Sequence, residues 1–326
     1  MSGRRVLVVG DIIVDRYVRF VGERTAAELR GQRVWDQKSE ELRLGGAANV
    51  AANLASLSSA VDGPDVFLAG LVGVTALPLL DWERLRGDGL AKLNPSLVSF
   101  CDQELVKTRF VDENERIVAR HDNRRAVDDR RSMEWMAFWE SQVVPRLDEF
   151  CAVVLSDYAG GVITDVVATQ LCSQRARFIV VDSKRRDLSC FRGATVLKLN
   201  ESEYAAQTPR PEYQAVEAIA DSCVVTRGSR GASLSRYQPL GDGRYRVDSV
   251  GFPGVAALEV DMTGCGDTFV AALVHYLTSL ATDIEGAIRF ANFCASRVVS
   301  LFGTTVLKPE NRLTVRSENS EKLSMR

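Results

Sequence analysis

VDMTGCGDTFVAAL, residues 260–273, turns through small residues and then enters an apolar helix with one acid at its mouth. Gly264, Cys265 and Gly266 stand directly before Asp267. The first backbone N–H groups of a helix have no internal partner and face outwards, so a start of this kind attracts anions. Glycines remove the side chains that would hold a phosphate away from those amides. Asp267 would repel the same phosphate, and a general base that takes a proton from an attacking hydroxyl is one reason for it to be there. Helix capping is another, since an acid in the first turn favours the helix dipole by a few tenths to about 1 kcal/mol. Capping accounts for Asp267 and leaves the glycines unexplained. Cys265 opens a third reading, because a helix N-terminus lowers a thiol pKa, although no histidine stands near it in the sequence as an activating base.

Upstream, short β-branched runs recur: VLVVG (6–10), VFLAGLVG (66–73), AVVLSDY (152–158), FIVVDS (178–183), TVLKLN (195–200) and CVVTRG (223–228). Each is nearly all apolar, as expected of strands covered on both faces. The segments GGAANVAANLASLSS, TDVVATQLCSQRA and PEYQAVEAIADS between them read as helices. This alternation predicts a parallel sheet in an α/β sandwich. Residues 16–44 and 104–122 instead alternate with a period near two and carry a turn at DENE. They are expected to form antiparallel strands of a small sheet standing off the main one as a lid. One unit over 1–310 followed by a polar tail, 311–326, poorly ordered beyond Ser317, is the expected organisation.

In open α/β sheets ligands bind outside the carboxyl ends of the strands. Asp11 follows the first strand and Asp15 stands four residues on, although acids at strand ends also serve simply to cap turns. In RLGGAANVAANLA, Gly45 and Gly46 allow close backbone approach by a ligand and Asn49 falls in the first turn of a helix; tight packing of small residues explains the pattern equally well.

Composition narrows the function classes. With 46% hydrophobic and 26% charged residues and a formal net charge of −2, nothing marks a nucleic-acid surface. The most basic stretch, RRAVDDRR (124–131), is interrupted by Asp128 and Asp129 and reads as a solvated helix approach. Seven cysteines without a CxxC pair and two histidines disfavour a disulfide framework and a zinc site. The apolar run near the N-terminus is broken by Gly10 and Asp11, so it reads as a strand rather than a signal peptide, and no stretch is long enough to span a membrane. A reducing cytoplasm is the expected location.

GDIIVD, LGGAANVAANLA, NESE and DMTGCGDTF stand in the order and spacing of the ribokinase-like (PfkB) carbohydrate kinases, which the chain resembles over nearly its whole length. LVKTRFV, VLSDYAGGVIT, FRGATVLKLNESE and ANFCASRVVSLFGTTV are similar to segments of the heptose 7-phosphate kinases within that family. The resemblance implies a three-layer α/β/α sandwich with a mainly parallel sheet and a β-sheet lid. It implies ATP and Mg2+, with K+ as a further cofactor of the family, and an activity in which Asp267 is the base and Gly264, Cys265 and Gly266 form the anion hole. Asp11, Asp15, Gly45, Gly46, Asn49 and Asp157 then match substrate positions. Asn200 and Glu203 match an NxxE motif that organises magnesium, Glu203 through water. Thr226, Gly228, Gly231 and Asn292 match nucleotide positions, and Lys107, Arg109, Arg120 and Asp122 match lid positions facing a phosphorylated sugar.

Three departures stand out. Cys265 replaces a usual alanine, Gly160 replaces the lysine of an SDYxKG motif, and an acidic GDD is missing where the chain reads GVTALPLLD from Gly73. With the chain ending at 326, the nucleotidyltransferase fused to some heptose kinases is not expected in it. The expected reaction is phosphorylation of a sugar phosphate, foremost C1 of a heptose 7-phosphate. A kinase for another sugar or a nucleoside, and a catalytically weak sugar-binding regulator, are the alternatives. A dehydrogenase would want GxGxxG where GDIIVD stands. A homodimer through the lid sheet is expected, since a sheet with an apolar face and free edges finds a partner.

Overall fold

The computed structural model describes residues 4–25, 33–123, 128–174, 177–207, 216–241 and 244–307. The expected tail, 311–326, lies outside them. In chain order the first half comprises β1 (Arg5–Gly10), β2 (Ile12–Thr25), β3 (Arg33–Gly46), α1 (Ala47–Ser59), β4 (Asp65–Val72), α2 (Trp82–Gly87), β5 (Leu93–Phe100), β6 (Leu105–Val111), β7 (Ile117–Asn123) and α3 (Asp129–Phe138). The second half comprises β8 (Ala152–Asp157), α4 (Asp165–Cys172), β9 (Phe178–Ser183), β10 (Ala194–Asn200), α5 (Glu201–Ala206), β11 (Ala220–Thr226), β12 (Ala232–Pro239), β13 (Tyr245–Phe252), α6 (Cys265–His275) and α7 (Ile284–Val298).

The main sheet has the order β13-β12-β11-β10-β9-β8-β1-β4-β5. Its strands from β5 to β11 run parallel, and β12 and β13 are antiparallel additions at one edge. Successive residues of β1 face opposite layers: Val6 and Val8 join a core with α1, α6 and α7, while Leu7 and Val9 join one with Trp135 of α3 and Val167 of α4. Both faces are therefore dry, which is why these runs are continuously apolar. Strand order reverses about β1, whose neighbours are β8 and β4, so the crevice outside the carboxyl ends opens there. No helix among the described residues is long and apolar enough to cross a membrane.

The smaller sheet has the order β3-β2-β6-β7. Its two hairpins are antiparallel as expected, but their join, β2 against β6, is parallel. The reason is topological: β2 follows β1 and β6 follows β5, and both leave the carboxyl ends of parallel strands in one direction. The strands also reach beyond the expected segments, to Ile12, Gly46 and Asn123. At the DENE turn, Asp112 Oδ1 accepts the amides of Asn114 and Arg116.

One reading needs correction, and one strand was not anticipated. The helix expected over PEYQAVEAIADS falls partly outside the described residues; of the rest, Val216–Ala218 is a single 3₁₀ turn and Ala220 already begins β11. Strand β5 carries Pro95 and reads too polar for a strand, which an edge position with a register shift against β4 tolerates.

Trp135 and Trp139 are fully buried in the α3 layer, and Trp135 Nε1 donates to the Val162 carbonyl at 2.8 Å, anchoring the loop after β8. Trp135→Ala should cost about 3–5 kcal/mol, since it opens a large cavity and orphans that carbonyl. Chemical denaturation would read the loss, and an unchanged midpoint would show that the layer closes over the gap.

Candidate active site

Gly264 is the N-cap of helix α6, and its φ of 81° lies in the left-handed region that glycine adopts without strain. A side chain there would also come 2.9 Å from Asn49 Nδ2. The Cys265 amide donates to the Met262 carbonyl at 3.2 Å, so the amides that a helix start leaves unpaired are chiefly those of Gly266 and Asp267. Asp267 is 5% exposed. Its Oδ2 accepts Asn49 Nδ2 at 2.8 Å and its Oδ1 accepts the Tyr158 hydroxyl at 2.7 Å. Asn49 is held in turn by Asn53, which donates to Asn49 Oδ1 at 3.0 Å. Burial pushes the Asp267 carboxyl above its ordinary pKa, against the opposing pull of these two donors.

Beside this helix start lies a cation network. Lys198 Nζ sits 3.1 Å from where a side chain on Gly266 would begin, so the ammonium flanks the amides. Lys198 and Lys184 both pair with Asp182, each at 3.1 Å, and Lys184 also pairs with Glu203 at 2.7 Å. Burial alone would raise Asp182; Lys198 and Lys184 outweigh it and hold the carboxyl below its usual value. Asn200 and Glu203 form a reciprocal capping box on α5, which explains the NxxE spacing locally. Asn200, Thr226, Gly228, Gly231 and Asn292 line one cleft of about 530 Å³ together with Gly264, Cys265, Gly266 and Asp267. The sequence-predicted nucleotide and anion-hole positions thus converge, with Glu203 joined to them through Lys184.

The expected substrate positions play more varied parts. Asp15 accepts Arg109 Nη1 at 2.5 Å and Thr304 Oγ1 at 2.6 Å, all three side chains being buried. Gly45 makes room for that carboxylate, since a side chain there would meet Asp15 Oδ2 at 2.4 Å; the close approach is by the chain itself. Gly46 caps α1. Asp11 is fully buried and accepts the amides of Tyr158, Gly160 and Val162, while burial and the nearby Asp157 push its carboxyl up to about 6. Asp157 accepts Ser183 Oγ at 2.7 Å and the Ala159 amide at 3.0 Å and pairs with Arg185 at 2.8 Å. Both acids thereby shape the 158–162 loop. Arg120 and Asp122 pair with each other on β7 at 2.6 Å. Lys107 makes no ion pair among the described residues, and its Nζ lies 4.5 Å from the Tyr158 ring centroid. Burial lowers its pKa.

Two departures acquire structural reasons. A side chain at Gly160 would meet Leu105 Cδ1 at 2.5 Å and Asp11 Oδ1 at 2.7 Å, so this loop is built around its absence. Where the acidic GDD is missing, Glu104 reaches across from the start of the small sheet and caps the turn at Thr75 and Ala76. Sequence reasoning missed Tyr158, Asp182, Lys184, Lys198 and Thr304. A lysine inside the apolar run TVLKLN was the available signal for Lys198, because a buried strand admits a charge only with a partner.

Residues 101–311 match the family described as pfkB family carbohydrate kinase. The chain belongs to that family. That family is described as one of carbohydrate kinases. Its relatives include the bifunctional protein HldE of Azorhizobium caulinodans, 33% identical over 322 residues that cover 93% of this chain and 62% of that protein. The bifunctional protein HldE of Klebsiella pneumoniae subsp. pneumoniae is 33% identical over 329 residues, covering 96% and 64% respectively. The chain therefore spans a little under two thirds of the length of these curated relatives. In fold it is similar to the nucleoside kinase of Methanocaldococcus jannaschii, an archaeal member of the ribokinase family, with TM-score 0.68 and 16% identity over 98% of this chain and 99% of that one. Phosphofructokinase-2 of Escherichia coli in complex with potassium gives TM-score 0.68 and 16% identity over 98% and 100%. Ribokinase of Arabidopsis thaliana, complexed with ribose and ATP, gives 0.64 and 19% over 97% and 99%.

In this member of the pfkB family the surroundings of the thiol at the helix start disfavour its ionisation. Burial, then Asp261 and Asp267, push Cys265 up to about 12, so it stays protonated at neutral pH. Cys265→Ala should keep turnover within a few-fold and alkylation of Cys265 by iodoacetamide should be slow. A loss of about 100-fold or more would restore the nucleophile reading.

Proposed function

We propose that the chain transfers the γ-phosphoryl group of ATP to a hydroxyl of a sugar phosphate, foremost C1 of a heptose 7-phosphate. The observation that carries this reading is the buried Asp267 carboxylate at the start of α6, beside the Lys198 ammonium and the first-turn amides. The acceptor oxygen forms a bond to the γ-phosphorus as the bond to ADP breaks, and its proton passes to Asp267. Lys198 and the amides of Gly266 and Asp267 stabilise the charge on the transferred group. Catalysis then rests mainly on position and electrostatics.

The donor chemistry suits a magnesium ion that arrives on the phosphates. The nearby carboxylates, Asp182 and Glu203, are already committed to lysines, and no cluster of three or more His, Cys, Asp or Glu side chains among the described residues could hold an ion alone. Glu203, acting through water, is the residue that would help hold it, and the ion would neutralise phosphate charge. A dependence on a monovalent cation such as K+ belongs to the same reading, supported by the potassium complex of a similar fold.

The segments similar to heptose 7-phosphate kinases support the sugar phosphate, as does the position of Lys107, on the small sheet, above the Tyr158 ring. A cation with no ion-pair partner among the described residues suits a phosphate, which it binds by charge-assisted hydrogen bonds. Closure of the small sheet over the sugar would exclude water and suppress ATP hydrolysis.

Coupled ADP release across sugars and sugar phosphates, with and without Mg2+ and K+, tests the reaction. Asp267→Asn should lower kcat by about 10²- to 10⁴-fold with ATP affinity nearly unchanged, because the amide keeps the shape and cannot take the proton. Near-normal kcat would defeat the base assignment and favour a cap. Because burial raises the Asp267 pKa, the acid limb of kcat/KM should lie above the ordinary carboxylate value, with activity lost as pH falls through it.

Charge reversal at Lys107 gives a separate expectation. Lys107→Glu should raise KM for the phosphorylated sugar by about 10-fold or more and barely affect its unphosphorylated parent. Equal effects on both would remove Lys107 from the phosphate site.

A further inference from the structure

Tyr158 stands at the junction of the two halves of the site. Its hydroxyl is 2.7 Å from Asp267 Oδ1, and its ring has Lys107 Nζ of the small sheet 4.5 Å from the centroid and Lys184 Nζ of the nucleotide side at 5.5 Å. Its amide donates to buried Asp11 at 2.8 Å, which fixes the backbone from which the ring projects. We propose that Tyr158 is a positioning residue that holds the proton-accepting carboxylate of Asp267 and links it to the small sheet through Lys107.

The chemistry follows from the lone pairs. Asn49 engages Oδ2 and the Tyr158 hydroxyl engages Oδ1, so the carboxylate cannot rotate about its bond to Cβ, and its remaining lone pairs keep one direction for the acceptor's proton. Tyr158 stays a donor, because burial and then the Asp267 charge hold its own pKa well above that of free tyrosine. Lys107 against the ring couples the sheet that would cover the sugar to the residue that holds the base. This inference rests on the reading of Asp267 as the base.

The charged groups facing Asp267 and Tyr158 are Asp15 from β2, Lys107 from β6, Asp182 from β9 and Lys198 from β10. Lys184 follows β9 and faces the ring, and Cys265 lies on the same helix as Asp267. Tyr158→Phe keeps the ring and both cation contacts and leaves all these groups in place. It removes one donor to a carboxylate, which should make Asp267 harder to ionise.

Two readouts test the proposal, and the first needs no substrate. Carboxyl titration by ¹³C NMR of aspartate-labelled protein, with the Asp267 resonance assigned by its loss in Asp267→Asn, should show the Asp267 pKa raised by about one to two pH units in Tyr158→Phe. Incorporation of 3-fluorotyrosine at position 158 keeps the packing and strengthens the donor, and should move the titration the other way. With heptose 7-phosphate and ATP, Tyr158→Phe should lower kcat by about 10- to 100-fold while KM for ATP holds within a few-fold. A titration unmoved in both variants overturns the proposal, even if kcat falls. If Asp267→Asn keeps wild-type turnover, the base reading fails first and this inference with it. If that variant is inactive and the titration is unmoved, the inference about Tyr158 alone fails.

Discussion

The side-chain contact between Asn49 and Asp267 joins the first helix of the chain to the sixth, and the site is organised about it. A carboxylate with almost no solvent keeps its charge only where donors replace water. Asn49 supplies one, and it can do so because α1 is alanine-rich and shares one core with α6. Asn53 fixes the Asn49 amide from one turn below and also accepts the Leu307 amide through its own Oδ1. The small-residue helix and the polar pair within it are therefore one device. Close packing brings the backbones together, and the asparagines turn that proximity into a defined carboxylate geometry.

A second constraint is charge balance across the strand ends. Lys198 and Asp182 are both buried at the carboxyl ends of neighbouring strands, and removal of Asp182 would strip the buried Lys198 of its ion-pair partner, which costs far more than the pair contributes, whereas Asp182 also holds Lys184. Lys184 passes that charge outward to Glu203, whose other carboxylate oxygen caps α5. Local helix capping and the electrostatics of the cleft thus share one side chain. A parallel sheet makes this economical in elements, because every strand from β1 to β11 that borders the crevice delivers its last residues to the same edge.

Much of this was legible in the sequence, and what was not has identifiable causes. Continuous apolar runs gave away the six core strands named from them, since burial on both faces leaves no other pattern. The DMTGCGDTF turn announced its helix because glycines before an acid have few other uses. Strand β5 escaped because an edge strand need not look like a strand. The parallel join of β2 and β6 escaped because pairing partners are set by where distant strands end. Asp11 and Asp157 were placed correctly at strand ends, but only geometry shows their oxygens committed to the loop they shape. Tyr158 had no sequence signal at all, as an aromatic after a strand is as readily packing as chemistry.

The loop around Gly160 has a consequence for divergence. Leu105 of the small sheet and Asp11 of the first strand close on the space that a side chain would fill, so three distant segments have settled together around a glycine. A long cation at that point would have to displace Leu105 and the Asp11 carboxylate, because the first atom of the new side chain already collides. Its neighbours would have to retreat beforehand, with nothing yet to occupy the gap. Room for a side chain here therefore depends on coupled changes at Leu105 and Asp11, in two other segments, rather than on position 160 alone.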